Sequence, residues 1–310
     1  MTRIQRFLRI FPGSLCLLAL FGLASPIRAA SDLYKFEPNE AYPRRFVDRP
    51  YTVAQNMSEI RLGFNYEQGN EQFNDAGKFL KVPYSKKNMY YVLNATYGYT
   101  YYFDLSFRIP YIARQITDET GPNQGMVFKG AGIGDAEFEM TYQLQNTGRF
   151  FIAGIIGAKL PGSENTNTEG AGLTTGSGTL DFFFKVPFKK AWRRWSLGGM
   201  SGYRFFGRDK VSAFRFGNRL DFQLNAVLQF NDYVAFQPEM VFWTEGASGL
   251  SGIQKPGEQS PNQTSYHIGG RLMLNPAPWM DAILSYHYPL MGTNSDKYSV
   301  IFGGELAFRF

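Results

Sequence analysis

The sequence predicts an all-β protein: a transmembrane antiparallel up-and-down β-barrel of about 12 strands, with long extracellular loops and short periplasmic turns. Three observations predict it. Apolar and polar residues alternate with period two, aromatic residues make up 17% of the chain, and long connections alternate with short ones. A barrel in lipid accommodates all three, because its outer face meets acyl chains, its inner face meets water, and closure leaves no unpaired strand edge.

The alternation is clear in the segment 217–230, where Leu220, Phe222 and Leu224 alternate with Asp221 and Gln223. Charges at every second position could not sit in the core of a soluble sandwich, and the aromatic face would not be left in water. A lipocalin-like soluble barrel is the alternative, but it predicts apolar residues inside and about eight strands. The predicted strands are 57–67, 88–99, 103–114, 135–144, 150–160, 178–188, 195–206, 217–230, 233–246, 264–275, 280–291 and 298–310. The predicted long connections are 68–87, 115–134, 161–177, 207–216, 247–263 and 292–297.

Residues 1–29 have the features of a signal peptide. Arg3, Arg6 and Arg9 precede the apolar run 15–24, and cleavage is expected after Ala29. The run is too short for a spanning helix, so a membrane anchor is the weaker alternative. Removal takes away Cys16 and four arginines, so the formal charge falls from +6 to +2. Because the exported chain would have no cysteine, no disulfide is expected. Its low net charge gives no reason to expect a nucleic-acid partner.

Residues 30–56 form either a loose periplasmic segment or a plug folded into the lumen, followed by the barrel at 57–310. Pro38, Pro43 and Pro50 argue against a helix or a central strand here. In the plug hypothesis, Arg44, Arg45 and Arg49 meet carboxylates of the lumen.

Strand parity places ten acidic and eight basic residues on the inner face, Asp135 among them. The candidate lumen-lining residues are Glu59, Arg61, Asp104, Arg108, Glu137, Glu139, Lys159, Asp181, Lys185, Arg204, Arg219, Asp221, Glu239, His267, Arg271, Asp281, His287, Glu305 and Arg309. A dedicated ion pore would carry a one-sided ladder of charge, so this near balance predicts a narrow, weakly selective or partly closed conduit.

Two histidines belong to the candidate lumen. A short turn near Pro276–Trp279 joins the predicted strands 264–275 and 280–291. In such an antiparallel pair the residue numbers of directly opposite residues have a constant sum, here about 554–556. His267 and His287 are therefore expected to be direct or diagonal neighbours, which suggests a pH gate or a metal-binding pair as alternatives to two unremarkable wet-lumen residues.

Aromatic residues near the predicted turns are candidates for the membrane interface: Trp192, Trp195, Trp279 and the terminal Phe310. Indole rings favour the level of the lipid head groups. The alternate residues Leu306, Phe308 and Phe310 resemble the terminal strand by which barrel-assembly machinery recognises outer-membrane barrels. Outer-membrane lipids and that machinery are therefore the expected partners.

Residues 49–310 resemble the outer-membrane barrel family described as the MetA pathway of phenol degradation, also called transporter-like. The resemblance rests on Arg49-Pro50-Tyr51-Thr52, on Gly130-Ala131-Gly132-Ile133-Gly134-Asp135 and on Lys159-Leu160-Pro161-Gly162. The chain departs from the family at Pro161-Gly162-Ser163, where Thr would separate Pro and Gly and Asp would follow. The resemblance implies an outer-membrane channel, with aromatic or other small hydrophobic solutes, in a Gram-negative cell.

The expected function is passive passage of small solutes, without enzymatic activity, a cofactor or a metal. The alternatives are a non-conducting structural or adhesin-like barrel and, less favoured, an acyl hydrolase built on Ser285 and His287, which parity turns away from lipid. The glycine run 130–134 precedes a strand and not a helix, so it predicts a bulge or tight strand entry rather than a phosphate site. Solute identity and oligomeric state stay open.

Overall fold

The computed structural model describes residues 43–120, 124–162, 173, 175–207, 214–215, 217–247, 249–250 and 262–310. The predicted signal peptide and residues 30–42 lie outside the described residues. A 3-10 helix at Phe46–Asp48 precedes the strands. The strands are β1 (Ser58–Phe73), β2 (Phe79–Thr100), β3 (Phe103–Asp118), β4 (Val127–Ile133), β5 (Ala136–Asn146), β6 (Phe150–Leu160), β7 (Asp181–Ala191), β8 (Trp195–Phe205), β9 (Phe214–Arg215), β10 (Arg219–Gln229), β11 (Val234–Glu245), β12 (Gly249–Leu250), β13 (Gln263–Ala277), β14 (Met280–Thr293), β15 (Asp296–Lys297) and β16 (Val300–Arg309).

Twelve of these strands form a closed antiparallel wall. Their order is β1, β2, β3, β5, β6, β7, β8, β10, β11, β13, β14 and β16, and β1 completes the ring by pairing with both β2 and β16. Each wall strand pairs with its neighbour in sequence, which is the up-and-down topology that the alternation predicts. The four remaining strands are short extensions: β4 pairs with β3, β15 with β1, and β9 with β12.

The two faces of the wall differ sharply. Every wall strand exposes at least one large apolar side chain: Leu62, Leu93, Phe107, Met140, Ile156, Phe182, Leu197, Leu224, Met240, Leu272, Leu284 and Leu306. Charged side chains of opposite parity, such as Glu59, Glu137 and Glu239, are buried inside the ring. Water would penalise an apolar belt of this extent, whereas acyl chains accept it. The barrel therefore spans a membrane with its charged face inward. Among the described residues, no helix is long and apolar enough to cross a membrane.

The two ends of the barrel are unequal, as predicted. One end, called the turn side here, carries the tight connections after β5, β7, β10 and β13. The opposite end is called the loop side. The prediction of a long loop at 68–87 is wrong, because β1 and β2 continue as a paired hairpin that turns at residues 74–78. Likewise, β3 extends to Asp118 and pairs with β4, so the predicted loop 115–134 is largely sheet.

The loop-side hairpin escaped prediction because its alternation is weak. Lys81, Lys86 and Lys87 put charge on both faces of β2. Tyr298 begins the predicted strand 298–310, where the alternation with Val300 and Phe302 would place it on the lipid face. Its hydroxyl instead accepts a hydrogen bond from Asn88, and β16 begins only at Val300. Where a strand extends beyond the lipid, neither face must be apolar, so the alternation of apolar and polar residues no longer indicates a strand there.

One position on the inner face tests the packing of the wall. A β-carbon at Gly157 would lie 2.3 Å from Cζ of Phe183 and 2.7 Å from the carbonyl oxygen of Phe138. Gly157→Ala should therefore destabilise the folded barrel by about 1–3 kcal/mol, the usual cost of overpacking. The measurement is the urea midpoint of unfolding in lipid vesicles. The matched control is Gly154→Ala on the same strand, whose β-carbon would meet only Cδ1 of Leu144 at 3.8 Å. Equal midpoints for the two variants would contradict the packing described.

Candidate functional site

The barrel encloses a cavity of about 730 Å³ that is lined by residues from ten of the twelve wall strands. Four carboxylates line it: Glu67, Glu137, Glu139 and Glu305. Five basic side chains do so as well: Arg61, Arg108, Lys185, Arg219 and Arg271. His267, His287 and the neutral polar residues Asn65, Asn94, Ser106 and Ser285 complete the polar lining. The cavity is thus polar and close to neutral in net charge.

Charges in the cavity are paired with neighbours of opposite sign. Arg204 contacts Glu137 at 2.8 Å, and Arg108 approaches the same carboxylate at 3.4 Å. Lys185 binds Glu139 at 2.6 Å. Arg108 and Glu137 lie on adjacent strands, whereas Arg204 and Lys185 reach their carboxylates from strands further round the ring. Because each of these cations lies near an anion, the lining presents local dipoles instead of a one-sided field.

A second group of paired charges surrounds Glu239, which is fully buried. Its Oε1 contacts Arg271 Nε at 2.9 Å and His287 Nε2, and its Oε2 accepts hydrogen bonds from Gln223 and Gln237. A buried carboxylate is tolerated when its lone pairs are all satisfied in this way.

The two histidines are diagonal neighbours, as the spacing predicts. His267 pairs with Pro289 and Gly269 with His287, so paired numbers sum to 556. The imidazoles have separate partners, because His267 bonds the hydroxyl of Ser265 at 2.7 Å while His287 bonds Glu239. The described residues contain no group of three or more metal-ligating side chains.

Residues 43–57 cross the turn-side mouth of the barrel. Three of their backbone amides donate to side chains of the wall. Phe46 N reaches Gln229 Oε1 at 2.8 Å, Tyr51 N reaches Gln143 Oε1 at 3.1 Å and Val53 N reaches Asp104 Oδ2 at 3.1 Å. Two of the acceptors belong to the adjacent strands β3 and β5, and the third belongs to β10 across the ring, so the segment spans the opening.

A buried ion-pair network fastens this segment. Arg49 makes a bidentate contact with Asp281, Nη1 to Oδ2 at 2.6 Å and Nη2 to Oδ1 at 2.9 Å. Arg309 contacts the same carboxylate, and Asn275 donates to it at 2.8 Å. Arg309 also reaches Glu59 at 2.6 Å. We call Arg49, Asp281, Arg309 and Glu59 the latch; all four are buried.

Apolar contacts add to the latch. Phe46 and Val47 are buried against Val227 and Ala235 of the wall. The guanidinium of Arg49 lies 4.0 Å from the ring centroid of Phe46. Burial of Tyr51 raises the pKa of its phenol above the ordinary value, so this side chain stays neutral in the mouth. Of the other two arginines proposed to meet lumen acids, Arg45 pairs instead with Asp48 of the segment itself, at 3.5 Å.

Two of the sequence motifs meet on the loop side. Asp135, at the end of the glycine run, accepts from the amide of Gly162 at 2.9 Å and contacts Lys159 at 2.9 Å. Lys159 also contacts Asp181 at 2.6 Å. Gly162 is required for this approach, because its β-carbon would lie 2.3 Å from the carbonyl oxygen of Gly134. The glycines thus serve close packing of chain segments, and β5 begins just after Asp135.

The structure distributes the candidate lumen residues over four places. Ten line the cavity: Arg61, Arg108, Glu137, Glu139, Lys185, Arg219, His267, Arg271, His287 and Glu305. Glu239 is buried behind Arg271, with which it pairs. Arg204 pairs with Glu137, and Asp221 pairs with Arg219. Glu59, Asp281 and Arg309 belong to the latch, while Asp104 holds the amide of Val53. Lys159 and Asp181 lie in the loop-side network.

Sequence reasoning missed the neutral anchors of the segment, Gln143, Gln229 and Asn275, and the lumen-facing Trp243. All four have inward parity, but a neutral side chain at an inward position does not show by itself which chain segment it contacts. The interface candidates lie near the turns. Trp192 and Trp195 stack with centroids 3.8 Å apart, while Trp279 and Phe310 are exposed.

Comparison with known proteins supports the fold. No protein-family profile and no curated sequence matches the chain. An outer-membrane channel from Pseudomonas putida F1 superposes with a TM-score of 0.69, covering 89% of this chain and 100% of that one at 10% identity. The fold is that of an outer-membrane β-barrel. The β-domain of the Bordetella autotransporter BrkA gives a TM-score of 0.50, with 83% and 100% coverage at 10% identity. Because a channel and an autotransporter domain share this fold, the lumen must decide the function.

The latch makes a prediction about the segment it holds. Asp281→Asn should take away the carboxylate that holds the buried guanidinium of Arg49, at a cost of about 3–5 kcal/mol, while Arg309 keeps its contact with Glu59. The segment should then detach. A cysteine reporter, Val47→Cys, is buried in the closed mouth and should react with maleimide at least about tenfold faster when Asp281→Asn is added.

The control is Asp221→Asn, which removes a carboxylate that pairs with Arg219 on the wall strand β10. It should leave the labelling rate of Val47→Cys unchanged. Rapid labelling without any latch substitution, or equal rates in all three proteins, would contradict the latch.

Proposed function

We propose that this protein is a channel of the Gram-negative outer membrane for small solutes, and that residues 43–57 close its periplasmic mouth. The observation that supports this proposal is the lumen itself: a polar cavity bounded by the wall and crossed on the turn side by a segment of the same chain. Short turns of such barrels face the periplasm, so the closed mouth is the periplasmic one.

The lining supports small solutes that carry a polar group. A bare hydrocarbon would gain little from a surface of paired charges. Trp243 adds a flat aromatic face to the cavity, and the guanidinium of Arg219 lies 4.6 Å from its ring centroid. A small aromatic compound with an acidic or hydroxyl group could stack on that face and bond to nearby dipoles. This solute class is the finer part of the proposal.

The latch also favours a second candidate function, a non-conducting structural barrel. Its paired lumen and closed mouth would then serve stability, while the external connections would bind partners. An acyl hydrolase gains less support. Ser285 and His287 line the cavity, away from the lipid face, and the imidazole is engaged with Glu239. Conductance separates the channel from the structural barrel.

Removing the segment should open the channel. Deleting residues 30–53 should raise single-channel conductance in planar bilayers several-fold, because the obstruction across the mouth is gone. Gly98→Ala tests the same point without a deletion. Its β-carbon would lie 2.1 Å from the carbonyl oxygen of Ala54, so the segment must shift.

The control for the point substitution is Gly63→Ala, which adds a methyl group in ordinary contact with Val92, 3.5 Å away. It should conduct like the parent. If a correctly folded deletion variant carries no current, the channel proposal fails and the structural barrel replaces it. If the deletion and the parent conduct equally, the channel stands and closure by the segment is wrong.

Charge balance predicts weak ion selectivity. In the deletion variant, the permeability ratio of potassium to chloride should lie within about threefold of unity, since neither sign dominates the lining. Glu137→Gln with Glu139→Gln should shift the reversal potential toward chloride selectivity. Lys185→Gln, which removes the cation paired with Glu139, should shift it the opposite way. A strongly selective deletion variant, or shifts of the same sign in both variants, would contradict a lumen built from balanced pairs.

A further inference from the structure

A small cleft lies at the turn-side rim, outside the lumen. It has a volume of about 210 Å³ and is bounded by the β7–β8 turn, the β10–β11 turn and the segment before the 3-10 helix. Its lining residues are Arg45, Arg193, Arg194, Gln229, Phe230, Asn231 and Asp232. The channel proposal makes no use of this cleft.

Backbone hydrogen bonds fix the two turns relative to each other. The amide of Trp192 donates to the carbonyl of Trp195 at 2.7 Å, which closes the β7–β8 turn. The amide of Gln229 donates to the carbonyl of Arg194 at 2.8 Å and ties this turn to β10. In the other turn, Asn231 Oδ1 accepts from the amide of Tyr233 at 2.8 Å. The cleft is therefore built by the fold and not by loose side chains.

The cleft carries an excess of positive charge. Three arginines line it and Asp232 alone opposes them among the lining residues. Arg193 and Arg194 are exposed to solvent at the rim. Arg45 contacts Asp48 only at 3.5 Å and with both groups partly exposed, a pair that contributes little. A planar guanidinium binds phosphate oxygens in a bidentate manner, so adjacent arginines suit a phosphate group.

The surface beside the cleft is apolar and lies at the level expected for lipid head groups. Trp195 and Phe230 are exposed there, and Trp192 and Trp195 stack with their planes 11° apart. Leu228 pairs across strands with Trp195, and exposed Leu197 follows on the same outer face of the wall. An amphipathic ligand could thus place its head group in the cleft and its chains along this face.

We propose that the cleft binds the phosphate head group of an anionic phospholipid in the leaflet on the turn side. Arg193 and Arg194 contact the phosphate, Arg45 closes the cleft from the segment, and the acyl chains lie against Leu197 and Leu228. The continuous apolar face favours a lipid over a free phosphate ion, because a soluble anion would make no use of it.

The test measures lipid retained by the complete barrel. The protein is released from a neutral detergent in native mass spectrometry after titration with phosphatidylglycerol, with phosphatidylcholine as the zwitterionic comparison. The parent should retain one phosphatidylglycerol in preference to phosphatidylcholine. Arg193→Gln with Arg194→Gln should reduce that retention at least about tenfold, which corresponds to the loss of two charged contacts.

A matched pair of single variants gives the control. Arg194→Gln should weaken retention, whereas Arg149→Gln removes the same charge from the neighbouring β5–β6 turn, outside the cleft, and should not. Equal retention in parent and double variant, or equal losses for Arg194→Gln and Arg149→Gln, would overturn the site. Full displacement of the lipid by millimolar inorganic phosphate would show that the ligand is a soluble anion and overturn the lipid assignment. Conductance enters none of these readouts, so failure of the channel proposal is a separate result.

Discussion

The buried carboxylate of Asp281 constrains the turn side of the barrel. It lies on β14, and two guanidinium groups reach it: Arg49 from the chain before β1 and Arg309 from the last strand. Asn275 satisfies a further lone pair, so the negative charge is fully compensated inside the wall. One carboxylate thereby joins the segment 43–57, the last strand β16 and the β13–β14 hairpin.

Charges that face the lumen are likewise compensated by neighbours of opposite sign. Carboxylates of the inner face pair with basic side chains: Glu137 contacts Arg108 and Arg204, and Glu239 contacts Arg271 and His287. Such pairs cost desolvation energy when one partner is lost, so they resist rearrangement of the wall. They also leave the cavity nearly neutral. The same arrangement therefore supports a stable barrel and predicts a conduit that discriminates poorly between ions.

Much of this fold could be predicted because the membrane imposes period two on every spanning strand. Strand β6 and the short turns agree with prediction, and the interior charges fall on one parity. The β1–β2 hairpin could not be placed, since beyond the lipid neither face must be apolar. The histidine register was predictable from the short turn, but their separate partners, Ser265 and Glu239, depend on packing between strands. The path of residues 43–57 could not be predicted, because the prolines argue against regular structure but do not distinguish a periplasmic tail from a plug.

The most direct test is amide hydrogen exchange of the segment, read by NMR on the complete barrel in lipid nanodiscs. The amides of Phe46, Tyr51 and Val53 each donate to a wall side chain across the mouth. They should exchange at least about a hundredfold more slowly than an unstructured chain. Exchange of all three at the unstructured rate, while amides of the wall strands stay protected, would contradict closure of the lumen by this segment.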